Sequence, residues 1–115
     1  MALLLMTPDA RKLWEAFSKA IDEDDVRTWE FHSDGVHFTH SSKQWNRQAW
    51  FKADILDGTL AFNIVKPTGK NISKEVYAEY HALLLRVFLA RFDNHFSHAF
   101  TTALASVDDI VAERD

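Results

Sequence analysis

The chain has no cysteine, three glycines and two prolines in 115 residues, and no apolar run longer than the six residues that open it. Each shortage removes a class of protein. Without cysteine there is no disulfide, no thiolate zinc site and no cysteine nucleophile, so a reducing, cytoplasmic setting is the natural expectation. With so few glycines, all three of which sit at turn positions (Gly35, Gly58 and Gly69), little backbone is available for close approach to a phosphate or an oxyanion. A bilayer-spanning helix needs about 20 apolar residues, and a signal peptide needs a cationic start and a longer apolar core, so no membrane role is expected. Basic charge is also in short supply. A net charge of −4 argues against a general nucleic-acid binder, which would present a basic face.

Apolar residues, by contrast, are plentiful. They make up 47% of the chain and aromatics 13%, enough for one self-sufficient core, and residues 1–115 read as a single domain. The opening Met1-Ala2-Leu3-Leu4-Leu5-Met6 precedes a helix start at Thr7-Pro8-Asp9, which makes residues 1–6 an expected disordered or alternative-start extension. Ala10, Leu13, Trp14, Phe17, Ala20 and Ile21 recur at three- and four-residue steps and predict an amphipathic first helix. It runs into the acidic stretch Asp22-Glu23-Asp24-Asp25.

Two Asp-Gly pairs then mark β-hairpins. Around Asp57-Gly58, alternation places Phe51, Ala53 and Ile55 opposite Ile64, Phe62 and Leu60 on one face, with Trp50, Lys52, Asp54 and Asn63 on the other. Around Asp34-Gly35 the same construction pairs Phe31 with Phe38 and Trp29 with His40 on the core side. His32 then lies opposite His37 on the far side. A long helix over about Lys74 to Phe92 has apolar residues on nearly every side, which predicts burial against the sheet and against a second surface. The spacing of Phe96, Ala99, Phe100, Ala103 and Leu104 extends this into further helix, and Ser106 could cap a last short one. The expected fold is therefore α+β: an N-terminal helix, a four-stranded antiparallel meander of two hairpins, and two or more C-terminal helices packed mainly on one sheet face.

Motifs that would define an enzyme are missing. There is no Gly-x-Ser-x-Gly elbow, no His-Glu-x-x-His, no complete phosphate loop around Gly69-Lys70 and no calcium-loop spacing in the acidic run. No stretch carries a family signature specific enough to name. The candidates for ligand or interface contacts are His32, His37, Trp50, Lys52 and Asn63 on the second sheet face, and Tyr77, Tyr80 and His81 on the long helix. His32 and His37 are the weak candidates for metal, since two imidazoles fall short of the three or four ligands zinc needs. No cofactor is expected.

These features favour a non-enzymatic binding domain, expected as a homodimer that uses either the exposed sheet face or the outer side of the long helix. Two alternatives stand beside it. One is an acidic inhibitor or immunity-type protein that meets a macromolecular partner through Asp22-Glu23-Asp24-Asp25. The other is a small-ligand or metal-binding protein using the sheet-face or helix histidines.

Overall fold

The structure, a computed structural model, describes residues 2–112; Met1 and residues 113–115 of the single expected domain lie outside the described residues. In chain order the elements are strand β1 (Leu3–Met6), helix α1 (Ala10–Asp22), strands β2 (Trp29–Phe31), β3 (Phe38–His40), β4 (Trp50–Leu56) and β5 (Thr59–Val65), helix α2 (Lys74–Arg91) and strand β6 (His98–Thr101). The strands form one antiparallel sheet in the order β2-β3-β4-β5-β1-β6. The molecule is thus an α+β protein. Its architecture nevertheless differs from the expected one: among the described residues six strands replace four, and a single helix follows the meander where two or more were expected.

Both differences have one cause. Leu3-Leu4-Leu5-Met6 is too short to fold alone, but an unbroken apolar run suits a strand flanked by others. It pairs with β5 through Leu3–Phe62 and Leu5–Leu60, and with β6 through Leu3–Thr101 and Leu5–Ala99. The expected extension is an interior strand. Its second edge needs a partner, and the segment after α2 supplies it, so residues read as helix by their three- and four-residue spacing become β6. Helix α2 ends where the Phe92 N–H bonds the Phe88 carbonyl, and a turn through Asp93 and Asn94 redirects the chain. Ser106 does not cap a helix either. Its N–H and hydroxyl donate to Asp109 Oδ2, while the Ile64 N–H donates to Asp109 Oδ1, fastening the tail alongside β5. There Ile110 bridges Val65 in parallel.

The strand registers around both Asp-Gly pairs agree with the spacing. Leu56 pairs with Thr59 across a two-residue turn in which Gly58 takes φ +74°. At the other hairpin Phe31 pairs with Phe38 and Trp29 with His40, but the loop is wider than a two-residue turn: the Gly35 N–H bonds the His32 carbonyl, and the His32 N–H bonds that of His37. Loops of two and four residues centred on the same pair leave the register unchanged.

Both helices cover one face. Asp9 caps α1 by accepting from the Lys12 N–H at 3.0 Å, and Ser73 caps α2 by accepting from the Val76 N–H at 3.1 Å. Thr7, the expected cap of α1, instead donates its hydroxyl to the His95 carbonyl at 2.6 Å. From α1 come Trp14 and Phe17, and from α2 Tyr80, Leu84 and Phe88. They meet Phe38, Phe51 and Phe62 of the sheet, with ring centroids 5.4 Å apart for Phe17 and Phe38 and 5.5 Å for Phe62 and Phe88. The outward sector of α2 holds Ala78, Ala82 and Leu89, all exposed.

Two outcomes follow from this core. A chain begun at Met6 loses most of β1 and should fail to give a cooperative unfolding transition, which circular dichroism during heating would read. Phe62→Ala removes a fully buried ring packed on Trp14, Phe38, Phe51 and Phe88. It should lower stability by about 3–5 kcal/mol in a urea titration.

Candidate functional site on the open sheet face

With both helices on one side, alternate residues of every strand face the other side, and the strand pairing fixes who their neighbours are. One end of that face is apolar. Phe100 of β6 lies across from Leu4, which lies across from Ala61; next to this row, His98, Met6, Thr59 and Leu56 form another. Phe100 and Leu56 are exposed, and Met6 Sδ accepts from the Thr59 hydroxyl at 3.6 Å.

The other end carries polar groups around a shallow, open depression. A cleft of about 340 Å³ is lined by His32, Asp34, His37, Arg47, Trp50, Val65, Lys66, Pro67 and Thr68. Three parts of the chain meet in it: the β2–β3 hairpin, the Ser41–Gln48 connection into β4, and the loop that leaves β5.

Asp34 organises the hairpin. Its Oδ1 accepts from the backbone N–H of Val36 at 2.9 Å and of His37 at 3.0 Å, and its Oδ2 lies 2.7 Å from His37 Nδ1. The Val36 bond, the His37 ring and the His37 backbone together hold this carboxyl well below the usual carboxylate range. It therefore stays ionised, with its oxygens accepting from donors of the same hairpin. The Asp34 N–H donates to His32 Nδ1 at 3.1 Å, which leaves the proton of a neutral His32 on Nε2. The His32 ring stands edge-on to Trp50 at 5.2 Å between centroids. With its proton on Nδ1, His37 donates to Asp34.

Arg47 reaches this cleft from a backbone at φ +57°, a left-handed conformation costly for a side chain of its kind. The loop is held in that shape from the core. Tyr80 Oη donates to the Trp45 carbonyl and lies 3.0 Å from Thr39 Oγ1; it also accepts from the Gln48 N–H at 3.2 Å. The Arg47 N–H itself donates to Thr39 Oγ1 at 3.1 Å. This cluster fills the opening where β3 and β4, paired only at Phe38–Phe51, separate.

The eight candidates drawn from sequence divide three ways. His32, His37 and Trp50 share the cleft. Lys52 and Asn63 are cross-strand partners on the same face, but Asn63 is buried and donates to Asp54 Oδ2 at 2.7 Å, and neither residue lines the cleft. Tyr77, Tyr80 and His81 belong to the helix side: Tyr77 donates to the Thr102 carbonyl at 2.9 Å, and burial raises its hydroxyl pKa. Asp34, read from the sequence only as part of a turn, and Lys66, not singled out there, also line the histidine cleft. The Asp34-x-x-His37 spacing across a hairpin loop was the available signal. His95 and His98, three apart on an expected helix, lie in a turn and in β6. Among the described residues no group of three or more His, Asp and Glu side chains is placed to hold a metal ion, and no helix is long and apolar enough to cross a membrane.

His81 is a buried base. Its Nδ1–H donates to the Tyr77 carbonyl at 2.6 Å, and the Ala2 backbone also faces the ring. Burial lowers its pKa, outweighing the Tyr77 carbonyl, Asp109 and the Ala2 backbone, which act the other way; burial lowers that of His40 too. A base whose pKa is lower folded than unfolded takes up its proton more readily in the unfolded chain, so stability falls as pH drops below the unfolded value, about 6.5. Urea midpoints should therefore decrease from pH 7.5 to pH 5.5, and His81→Leu should lose less over that interval than the parent chain. An equal loss in both would mean that His81 does not carry the effect.

Comparison of the chain with protein-family models, with curated proteins and with solved structures finds no match.

Proposed function

We propose that this chain is a small non-enzymatic protein-interaction domain that works as a homodimer, paired through the edge strand β6 and the apolar end of the open face. One observation supports the reading above the others: the two edges of the sheet are treated differently. Edge strands present unpaired N–H and C=O groups, and proteins that must stay apart protect them with charge, proline or brevity. β2 is three residues long, carries Glu30, and follows the Asp22–Asp25 run and Arg27. β6, His98-Ala99-Phe100-Thr101, has no formal charge and no proline.

Apolar surface lies at that same edge. Phe100 is 54% exposed, and Leu4, Met6 and Leu56 continue the rows beside it. A four-residue strand alone is too short to hold a stable pair, and these side chains extend it toward the roughly 800 Å² per partner that specific interfaces bury. A two-fold axis beside β6 would set two copies antiparallel, join their sheets and bring the two Phe100 side chains near each other. The outward sector of α2, with Ala78, Ala82 and Leu89, has one large apolar side chain and no unpaired strand edge beside it.

Sedimentation velocity at tens of micromolar should give a particle of twice the 13.3 kDa chain mass. Phe100→Lys should return it to the monomer with its circular dichroism unchanged, whereas Glu30→Lys on the opposite edge should leave the dimer intact. A monomeric parent chain, or a Phe100→Lys variant that still pairs, would overturn the reading.

A further inference from the structure

A groove on the helix side of the sheet stands apart from both the dimer edge and the histidine cleft. We infer that this groove, between the C-terminal half of α2 and the loop of residues 25–28, binds a phosphomonoester carried on an apolar body, its phosphate held by Arg27, Arg86, Arg91 and His40.

Arg86 and Arg91 come from α2, on the side it shares with Leu83, Val87 and Ala90, and Arg27 joins them from the loop that enters β2. Among the described residues the Arg86 and Arg91 guanidiniums have no hydrogen-bond or ion-pair partner, and Arg27 uses only its Nε–H, on the Asp24 carbonyl at 3.1 Å. Most of their donors are therefore unspent, and paired guanidinium N–H groups match the oxygens of a phosphate. The carboxylate among the described lining residues is that of Asp25, one against three guanidiniums. Asp22, Asp24 and Glu30 line a neighbouring hollow that shares only Val26 and Arg27 with this one. Arg91 has a local reason for its place, since a cation in the last turn of α2 offsets the negative end of the helix dipole. That reason does not extend to Arg86, more than a turn further in, or to Arg27 in a loop.

His40 makes the groove a built site. It is 5% exposed and held in place: the ring stands at right angles to Trp29 with centroids 5.0 Å apart, and Nδ1 accepts from the Ser42 N–H at 3.3 Å. That bond leaves the proton of the neutral ring on Nε2. Among the described residues no hydrogen bond uses this N–H, although the ring lines the groove. A nearly buried donor without an acceptor is a cost to the fold, and an anionic oxygen in the groove removes it. Burial lowers the His40 pKa, so the ring meets the ligand neutral, and a bound phosphate draws that pKa upward.

The rest of the lining says what else the ligand carries. Val26, Leu83, Val87 and Ala90 give an apolar body somewhere to lie, and a bare inorganic ion gains nothing from them. Charge favours phosphate over carboxylate. A phosphomonoester brings close to two negative charges and three acceptor oxygens, enough for guanidiniums from both segments at once.

A nuclear magnetic resonance titration tests this, following the imidazole C–H signals of His40 with phenyl phosphate, inorganic phosphate and benzoate as probes. Phenyl phosphate should shift His40 saturably. Inorganic phosphate, without the ring, and benzoate, without the second charge, should each bind about tenfold more weakly. Arg27→Gln and Arg86→Gln, both at exposed positions, should keep the parent urea midpoint and weaken phenyl phosphate about tenfold each. Absence of a saturable His40 shift up to millimolar concentration would overturn the inference, as would equal affinity for benzoate, for inorganic phosphate or in either arginine variant. Phe100→Lys, which tests the dimer, should retain the titration, because His40 belongs to β3 at the far end of the sheet from β6; the two readings can therefore fail separately.

Discussion

The antiparallel ladder that Leu3–Met6 makes with β5 on one side and β6 on the other is the constraint on which the rest of this molecule depends. Four residues from the start of the chain join segments that are more than fifty and more than ninety positions away. Closing such separations costs chain entropy before any contact is gained, and the gain here comes from Leu3 and Leu5, fully buried beneath the helices. With β1 in place β5 is an interior strand, the segment after α2 has an edge to lie on, and α1 must cross from the strand beside the β6 edge to the far edge at β2. Helix α1 therefore lies over β4 and β5, which puts Trp14 and Phe17 above the aromatic row of Phe38, Phe51 and Phe62.

That row explains why both helices share a face. Alternation along β3, β4 and β5 directs Phe38, Phe51, Phe62 and their neighbours to one side, and edge-to-face or tilted contacts with centroids 5.4 to 6.1 Å apart link them with Phe17, Tyr80 and Phe88. Large rings on one face leave smaller or polar residues for the other, among them Ala61, Asn63, Asp54 and Thr59. The open face is thus a by-product of how the core is filled, and its two ends differ because β1 and β6 bring apolar side chains to one end while the β2–β3 loop, the connection into β4 and the loop after β5 bring imidazole, guanidinium and ammonium groups to the other.

How far this was legible in the sequence depended on the range of the interaction involved. Local periodicity located α1, α2, both hairpins and their registers, because those follow from side-chain alternation, helical spacing and turn chemistry within a few residues. β1 and β6 were misread since nothing near them distinguishes an apolar tetrapeptide that frays from one that inserts, or Phe96-x-x-Ala99-Phe100 on a helix from the same residues on an edge strand. Their state is decided by each other across ninety positions. The candidate site was legible to the same extent: His32, His37 and Trp50 were placed on one face by alternation, while Asp34, Lys66 and Thr68 joined them through loop geometry that has no period to read. Tyr80 was identified as a helix residue with a polar tip, but its role required knowing that β3 and β4 part company after one pair.

The Tyr80 hydroxyl has a mechanical consequence. It stands at the end of a rigid ring rooted in the middle of α2 and is bonded to both Trp45 and Gln48, the residues on either side of the turn that carries Arg47. The phenol is a strut between the inner helix and the rim of a cleft on the opposite surface of the sheet. Position along the α2 axis and reach of the guanidinium are consequently one degree of freedom, and whatever tightens the helix against the sheet also steadies the hand that the cleft extends to solvent.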